Sequence, residues 1–309
     1  MSIRFIDAQE VARRLTYEVA VPLVHEAMVA LSQGRTRQLL RGIIDLDGEN
    51  AFGVMPGALD AGAFGAKLVS VFPGNVARGG MSHQGLIVMF DRASGAPVAV
   101  VDAGEVTAIR TAAASAAATM ALARREADQL AMLGTGEQAE RHVLAIRAVR
   151  PLARVTIWGR DAGKAAALAE EMGGDVATSV RDAVADAGIV CTVTAAAEPI
   201  LFAGDVAAGT HINAVGSSRA GPVEIAPDLV ARSRFFADHR EGVLSQGAEF
   251  LRAKAEGLVD DAHVLGEIGE VYAGTLAGRT AAGDVTLYKS LGSIVQDLAC
   301  AAWLCASED

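Results

Sequence analysis

Apolar positions along the chain change period several times, and the changes mark out its elements. Asp7 to Leu31 carries apolar residues at helical spacing and is predicted as one amphipathic opening helix. Strand-like runs follow at Ala51 to Met55, Ala66 to Phe72, Gly85 to Asp91 and Pro97 to Asp102, with turn chemistry at Pro73-Gly74-Asn75 and Ser94-Gly95 between them. From Asp128 onward, short apolar strands alternate with helical patterns. The strands are Asp128 to Leu133, Arg154 to Trp158, Ile189 to Thr194 and His211 to Val215; the helices are Glu137 to Val149, Asp161 to Met172 and Ser179 to Ala187. Such alternation predicts a doubly wound parallel sheet, since each helix carries the chain back to start another strand in the same direction. Ser290 to Ala306 places Leu291, Ile294, Val295, Leu298 and Ala302 on one side of a final helix.

The turn after the first of these parallel strands reads AMLGTGEQA, with Gly134, Gly136 and Ala139 in a G-x-G-x-x-A pattern. Gly134 allows a tight turn, Gly136 lets the backbone approach a pyrophosphate, and the small Ala139 lets the helix pack close to the strand. The phosphates of a dinucleotide would then meet the positive N-terminus of that helix. This makes the second half of the chain a Rossmann candidate. Cofactor choice is read at the end of the next strand, where an acidic residue would bond the ribose 2′-hydroxyl of NAD. Here the strand ends Trp158-Gly159-Arg160-Asp161. Gly159 offers no carboxylate and the Arg160 guanidinium can pair with a 2′-phosphate, so NADP(H) is expected over NAD(H). Asp161 is either a helix N-cap or, with a small change of register, a ribose partner.

Composition narrows the class. The chain has 309 residues and a formal net charge of −10, which argues against general nucleic-acid binding because neutralising phosphates needs a basic face. It contains no apolar run of about eighteen residues, and its first residues lack the basic-then-apolar order of a secretory signal, so a cytoplasmic, non-membrane protein is expected. Cys191, Cys300 and Cys305 have no metal-ligand spacing and fall in apolar surroundings; buried free thiols and no metal site are expected. Three cations in the first third, Arg41, Lys67 and Arg110, lie in the apolar or small-residue contexts LLRGII, GAKLVS and AIRTAA. Each could be solvated surface, but together they fit a site for a carboxylate-bearing substrate.

Several blocks resemble the ornithine cyclodeaminase and mu-crystallin family along nearly the whole chain. They are FGVMPG (52–57), AKLVS (66–70), SHQG (82–85), EVTAIRTAAASAAAT (105–119), LGTGEQA, TVTAAAEPIL (192–201), HINAVGSS (211–218) and YKSLGSIVQD (288–297). The resemblance implies a homodimer with two domains: a substrate-binding and dimerisation domain of α+β type over 1–120 plus 290–309, and an NAD(P)-binding Rossmann domain over 121–289. It implies that Arg41 and Arg110 clamp a substrate carboxylate and that Lys67 contacts it and handles the proton on nitrogen. His83 is a second candidate for that proton, or a structural hydrogen-bonder. Cofactor contacts are expected at Thr111, Gly134, Gly136, Glu137, Gln138, Arg160, Thr192, Val193, Thr194, Val215 and Ser290.

Where members that cyclise ornithine carry a glutamate and an aspartate, this chain aligns Gly53 and Ser218. Without those acids, water attack and loss of ammonia lack their general base. The blocks are closer to the mu-crystallin branch, which implies reduction of a small imine beside a carboxylate, a cyclic ketimine such as pyrroline-2-carboxylate or piperideine-2-carboxylate, to the L-amino acid. The alternatives are an amino-acid dehydrogenase similar to alanine dehydrogenase, an ornithine cyclodeaminase, and a nicotinamide-binding protein without relevant turnover.

Overall fold

The computed structural model describes residues 3–60, 62–218 and 220–307. Two compact units divide the chain: residues up to Arg110 with those from Ser293 onward, and Thr111–Gly292. The division falls inside one continuous helix, Ala103–Leu122, not at its end near residue 120. Hydrogen bonds account for this. Its first half is tied into the first unit by Thr107 to Lys67 and by Arg110 to Asp297. Its second half is tied into the second unit by Ser115 Oγ with His142 Nε2 at 3.0 Å and by Asn213 Nδ2 donating to Thr119 Oγ1 at 3.0 Å.

The first unit is built on a sheet of β1 (Arg4–Ile6), β2 (Thr36–Gln38), β3 (Gly42–Asp45), β4 (Ala51–Leu59), β5 (Phe64–Val71), β6 (His83–Phe90) and β7 (Pro97–Asp102). Its order is β1-β7-β6-β5-β4-β2, with β3 also on β4, and β1–β7 is the parallel pair. Strands β4 to β7 lie where period-2 patterning predicts them; β1, β2 and β3 are only three or four residues long and escape it. Pro73-Gly74-Asn75 begins a short 3-10 turn, Pro73–Arg78.

The opening segment is two helices rather than one, Ala8–Arg14 and Tyr17–Ser32. Asp7 caps the first by accepting from Glu10 N at 2.9 Å. Leu15 then leaves helical geometry and Thr16 is extended, which a shared apolar face at 3.6 spacing does not reveal. The final helix is Ile294–Ala306, with Ser293 as its N-cap. It lies across the sheet, where small residues admit it: a Cβ added to Gly57 would stand 2.7 Å from Ile294 Cγ2, and one added to Gly65 would stand 3.4 Å from Leu298 Cδ2.

The second unit is an eight-stranded, all-parallel sheet: β8 (Gln129–Leu133), β9 (Arg154–Trp158), β10 (Asp175–Val176), β11 (Ile189–Thr192), β12 (His211–Ala214), β13 (Arg234–Ala237), β14 (Val264–Glu267) and β15 (Thr286–Lys289). Its order is β10-β9-β8-β11-β12-β15-β13-β14. The direction in which strands are added reverses at β8, between β9 and β11, and this is the switch point at which doubly wound sheets bind ligands. Strand β11 stops at Thr192, short of Thr194, because Thr194 N donates to Glu224 Oε1 at 2.6 Å. The helix expected over Ser179 to Ala187 is limited to Val180–Val184, with Ser179 as its N-cap. Cys191 and Cys300 are buried free thiols; Cys305 is half-buried, a correction to the expectation for all three. No helix among the described residues is long and apolar enough to cross a membrane.

Candidate active site

In the second unit, the carboxyl ends of the adjacent parallel strands β8, β11, β12 and β15 carry Gly134, Thr192 to Thr194, Val215 and Ser290, in that spatial order. Gly134 has φ +133°, and an added Cβ would stand 2.8 Å from Val193 Cγ2 and 3.0 Å from Val193 O. The fold itself therefore demands glycine there. Gly136 differs. It is the N-cap of the helix Glu137–Val149 with φ −87°, makes no side-chain cap bond, and an added Cβ would meet no protein atom within 4 Å. Nothing inside the chain requires glycine at this position, whereas a pyrophosphate drawn to the helix N-terminus would. Ala139 is fully buried against the sheet.

Two buried polar atoms nearby, Gln138 Oε1 and Ser290 Oγ, make no hydrogen bond among the described residues. A dinucleotide with its many donors and acceptors fits such a setting. Glu137 is exposed on the first turn, and Thr111 is buried on its helix. The hydroxyls of Thr192 and Thr194 point to the buried Glu224, at 2.8 and 2.7 Å, which leaves backbone and Val193 and Val215 side chains for a ligand. Glu224 also accepts from Gly216 N at 2.7 Å and so binds the ends of β11 and β12 together. Burial pushes its pKa up, against the pull of Thr194 and Lys289.

At the end of β9, Gly159 makes room for a protein side chain: an added Cβ would stand 2.5 Å from Thr135 Cγ2. No carboxylate can stand at 159 while Thr135 stays in place. Asp161 caps the helix Ala162–Met172, accepting from Lys164 N at 3.1 Å, so the N-cap alternative is the one the fold adopts. Arg160 is exposed beside them.

In the first unit, alternation puts Ala51, Gly53 and Met55 of β4 on the buried face, and Lys67 of β5 pairs with Met55 on one side and Ile87 on the other. A lysine thus occupies a core position, 4% exposed. Its Nζ donates to Thr107 Oγ1 and, at 3.2 Å, to Asp297 Oδ1. The Thr107 hydroxyl proton is engaged by Ala103 O, so this oxygen can only accept from Lys67. Arg110, 3% exposed, donates from Nε to the same Asp297 oxygen at 3.1 Å and from Nη1 to Gln296 Oε1 at 3.0 Å.

Burial pushes the Lys67 pKa down to about 8; Asp297 opposes that shift, while Arg110 and Arg41 add to it. Asp297 is held below the ordinary carboxylate range because Arg110 and Lys67 outweigh the penalty of burial. His83 opens β6, exposed at its rim yet close enough to be desolvated on one side; that, with the charges of Lys67 and Arg41, lowers its pKa. Its Nδ1 meets Ser82 Oγ at 2.9 Å. Arg41, Lys67, His83 and Arg110 therefore share one electrostatic neighbourhood, organised by a buried carboxylate. Among the described residues, no group of three or more His, Cys, Asp or Glu side chains is placed to hold a metal ion.

The family model for the ornithine cyclodeaminase/mu-crystallin family matches residues 3–307. The chain belongs to this family. It is 34% identical over 305 residues to ketimine reductase mu-crystallin from Mus musculus, covering 96% of this chain and 95% of that protein. Among solved structures it is similar to the Thermococcus litoralis Delta(1)-pyrroline-2-carboxylate reductase in complex with NADH and L-proline, with TM-score 0.93, 28% identity, and coverage of 98% and 96% of the two chains. It is equally similar in shape to an archaeal alanine dehydrogenase dimer with bound NAD, with TM-score 0.93, 26% identity, and coverage of 99% and 95%.

At Gly53 an added Cβ would stand 3.0 Å from Val69 Cγ1, so a longer side chain there needs Val69 to move. Sequence reading missed Asp297, Gln296 and Glu224. The first two lie inside a block, YKSLGSIVQD, that carried the resemblance, and an acid between Val295 and Leu298 of a predicted apolar helix was the available signal. Glu224 had none, since its partners come from three separate segments.

Proposed function

We propose that this nicotinamide-dependent oxidoreductase of C=N bonds reduces a small imine whose carbon is bonded to a carboxylate, giving the L-amino acid, and prefers NADPH to NADH. Cyclic ketimines such as pyrroline-2-carboxylate or piperideine-2-carboxylate are the substrates it fits. The observation that carries this reading is a pair of buried cations, Lys67 and Arg110, sharing one carboxylate oxygen of Asp297, with the charge of Arg41 acting on Lys67 from the segment before β3. Buried charge of one sign is costly unless a partner arrives.

A bound nicotinamide supplies the hydride to the imine carbon. Arg41 and Arg110 hold the carboxylate beside that carbon and fix the face presented. Lys67, still mostly protonated at pH 7 with a pKa near 8, gives its proton to the imine nitrogen and recovers one from solvent. The sum is imine, NAD(P)H and one proton to amine and NAD(P)+. His83, whose pKa is lowered, is neutral at that pH and serves as a hydrogen-bonding neighbour rather than the acid. NADPH preference rests on Arg160 and on the exclusion of a carboxylate at 159 by Thr135.

The likeness to the archaeal alanine dehydrogenase supports a second reading, in which the imine forms on the protein from a 2-oxo acid and ammonia; the same residues would hold it. Dimerisation belongs to the proposal and is supported by Leu39, Ile43, Ile44 and Leu46, which are exposed around β3 at 70, 43, 58 and 44%. Arg110→Ala tests the carboxylate role. Loss of one buried, charge-assisted contact costs about 2–5 kcal/mol, so kcat/KM for the imine should fall at least about thirtyfold, mostly through KM. An unchanged kcat/KM removes Arg110 from the site.

A further inference from the structure

We propose that Asp297 is a positioning residue for imine reduction: through one carboxylate oxygen it holds the Lys67 ammonium and the Arg110 guanidinium side by side and keeps the Lys67 proton in place until the imine nitrogen takes it. This rests on the reductase reading above. Asp297 is fully buried on the helix Ile294–Ala306, and its Oδ1 accepts from Lys67 Nζ at 3.2 Å and Arg110 Nε at 3.1 Å. Its Oδ2 is buried and accepts no hydrogen bond among the described residues. An oxygen without accessible surface does not touch a substrate, so Asp297 acts through the two cations it binds.

The geometry solves an electrostatic problem. Lys67 faces Arg110 and Thr107 from the helix Ala103–Leu122, Arg41 from the segment before β3, and His83 from β6. Arg110 and Arg41, like burial, favour the neutral amine; Thr107 offers an acceptor but no charge. Asp297 is the anion among these facing groups. With it, the Lys67 pKa is about 8. Without its charge, every remaining charged neighbour pushes in one direction, and Lys67 would meet an imine already deprotonated. The same bond, with the neighbouring Gln296 accepting from Nη1 at 3.0 Å, fixes the orientation of the Arg110 guanidinium.

The chain has four lysines, Lys67, Lys164, Lys254 and Lys289, so each can be resolved by NMR in protein labelled with 13C at lysine Cε, with Lys67→Arg assigning the signal. In Asp297→Asn, which keeps the oxygen acceptor but removes the charge, the Lys67 midpoint should fall by at least one pH unit. The alkaline limb of kcat/KM for pyrroline-2-carboxylate should move down by the same amount, so that activity at pH 8 drops at least about fourfold more than activity at pH 6.5. A purely structural role would lower activity evenly across pH and leave the midpoint alone. Should Asp297→Asn fail to fold, Asp297→Ser carries the same titration. A Lys67 midpoint unmoved by the substitution overturns the inference, as does a moved midpoint with an unmoved alkaline limb. Wild-type protein that turns over no imine while its Lys67 midpoint still follows Asp297 would instead overturn the reductase reading and leave the Asp297–Lys67 coupling standing.

Discussion

Gly134 and Gly136 stand two residues apart in one turn, yet the structure gives them opposite reasons for being glycine. At Gly134, alanine would carry φ +133° and place its Cβ 2.8 Å from Val193 Cγ2. Backbone strain of about 1–3 kcal/mol and overpacking of similar size make Gly134→Ala destabilising by about 2–6 kcal/mol. At Gly136, alanine has an ordinary φ and open space around it. A poorer N-cap costs about 0.5–1 kcal/mol, and the reduced freedom of the unfolded chain returns about 0.4–1 kcal/mol, so Gly136→Ala should leave stability within about 0.5 kcal/mol of wild type.

Its effect should appear on the ligand. A methyl group where the pyrophosphate approaches the backbone removes at least one charge-assisted hydrogen bond, worth about 1.5–3 kcal/mol, which weakens NADPH binding about 10- to 150-fold. Thermal denaturation and calorimetric titration with NADPH, run on both variants, separate the two roles. Gly136→Ala that binds NADPH within twofold of wild type would refute the placement of the pyrophosphate at this helix. Gly134→Ala as stable as wild type would refute the reading of the turn.

Arg160→Ala should weaken NADPH binding at least tenfold more than NADH binding, because only the former presents a 2′-phosphate; equal losses in paired titrations would remove Arg160 from cofactor choice. His142 and His211 are fully buried, and burial pushes their pKa values down to about 4 and about 3. The unfolded chain takes up these protons below about pH 6.5 and the fold does not, so stability is full above that pH and falls as pH drops towards 4 and 3. Each histidine should cost about 2 kcal/mol by pH 5, and denaturant titrations between pH 6.5 and 5 should show a slope of nearly two protons, reduced to nearly one in His211→Asn. A flat profile would contradict their burial as neutral groups.

Much of the second unit was legible because a parallel strand buried on both faces is a continuous apolar run: Arg154–Trp158 and the helix Glu137–Val149 fall on their predicted residues. Period could not show the break at Leu15-Thr16, where the apolar face continues while the backbone turns. It could not show β13 to β15 either, since RFFA, VLGE and TLYK are four-residue strands flanked by mixed loops. The cations of the candidate site were legible as charges in apolar company. Their organiser, Asp297, was not, because an acid on a helix reads as solvent-facing until its partners on β5 and on the helix Ala103–Leu122 are known. Gly159 was legible as the absence of a carboxylate; the space beside it belongs to Thr135, a contact between two loops with no sequence signature.

The most direct measurement is NAD(P)H oxidation by the purified protein with pyrroline-2-carboxylate alone, beside pyruvate with ammonia. Rapid, ammonia-independent turnover of the cyclic imine, faster with NADPH than with NADH, is the result expected of a ketimine reductase. Turnover only when ammonia and a 2-oxo acid are both present would contradict it and make the protein an amino-acid dehydrogenase.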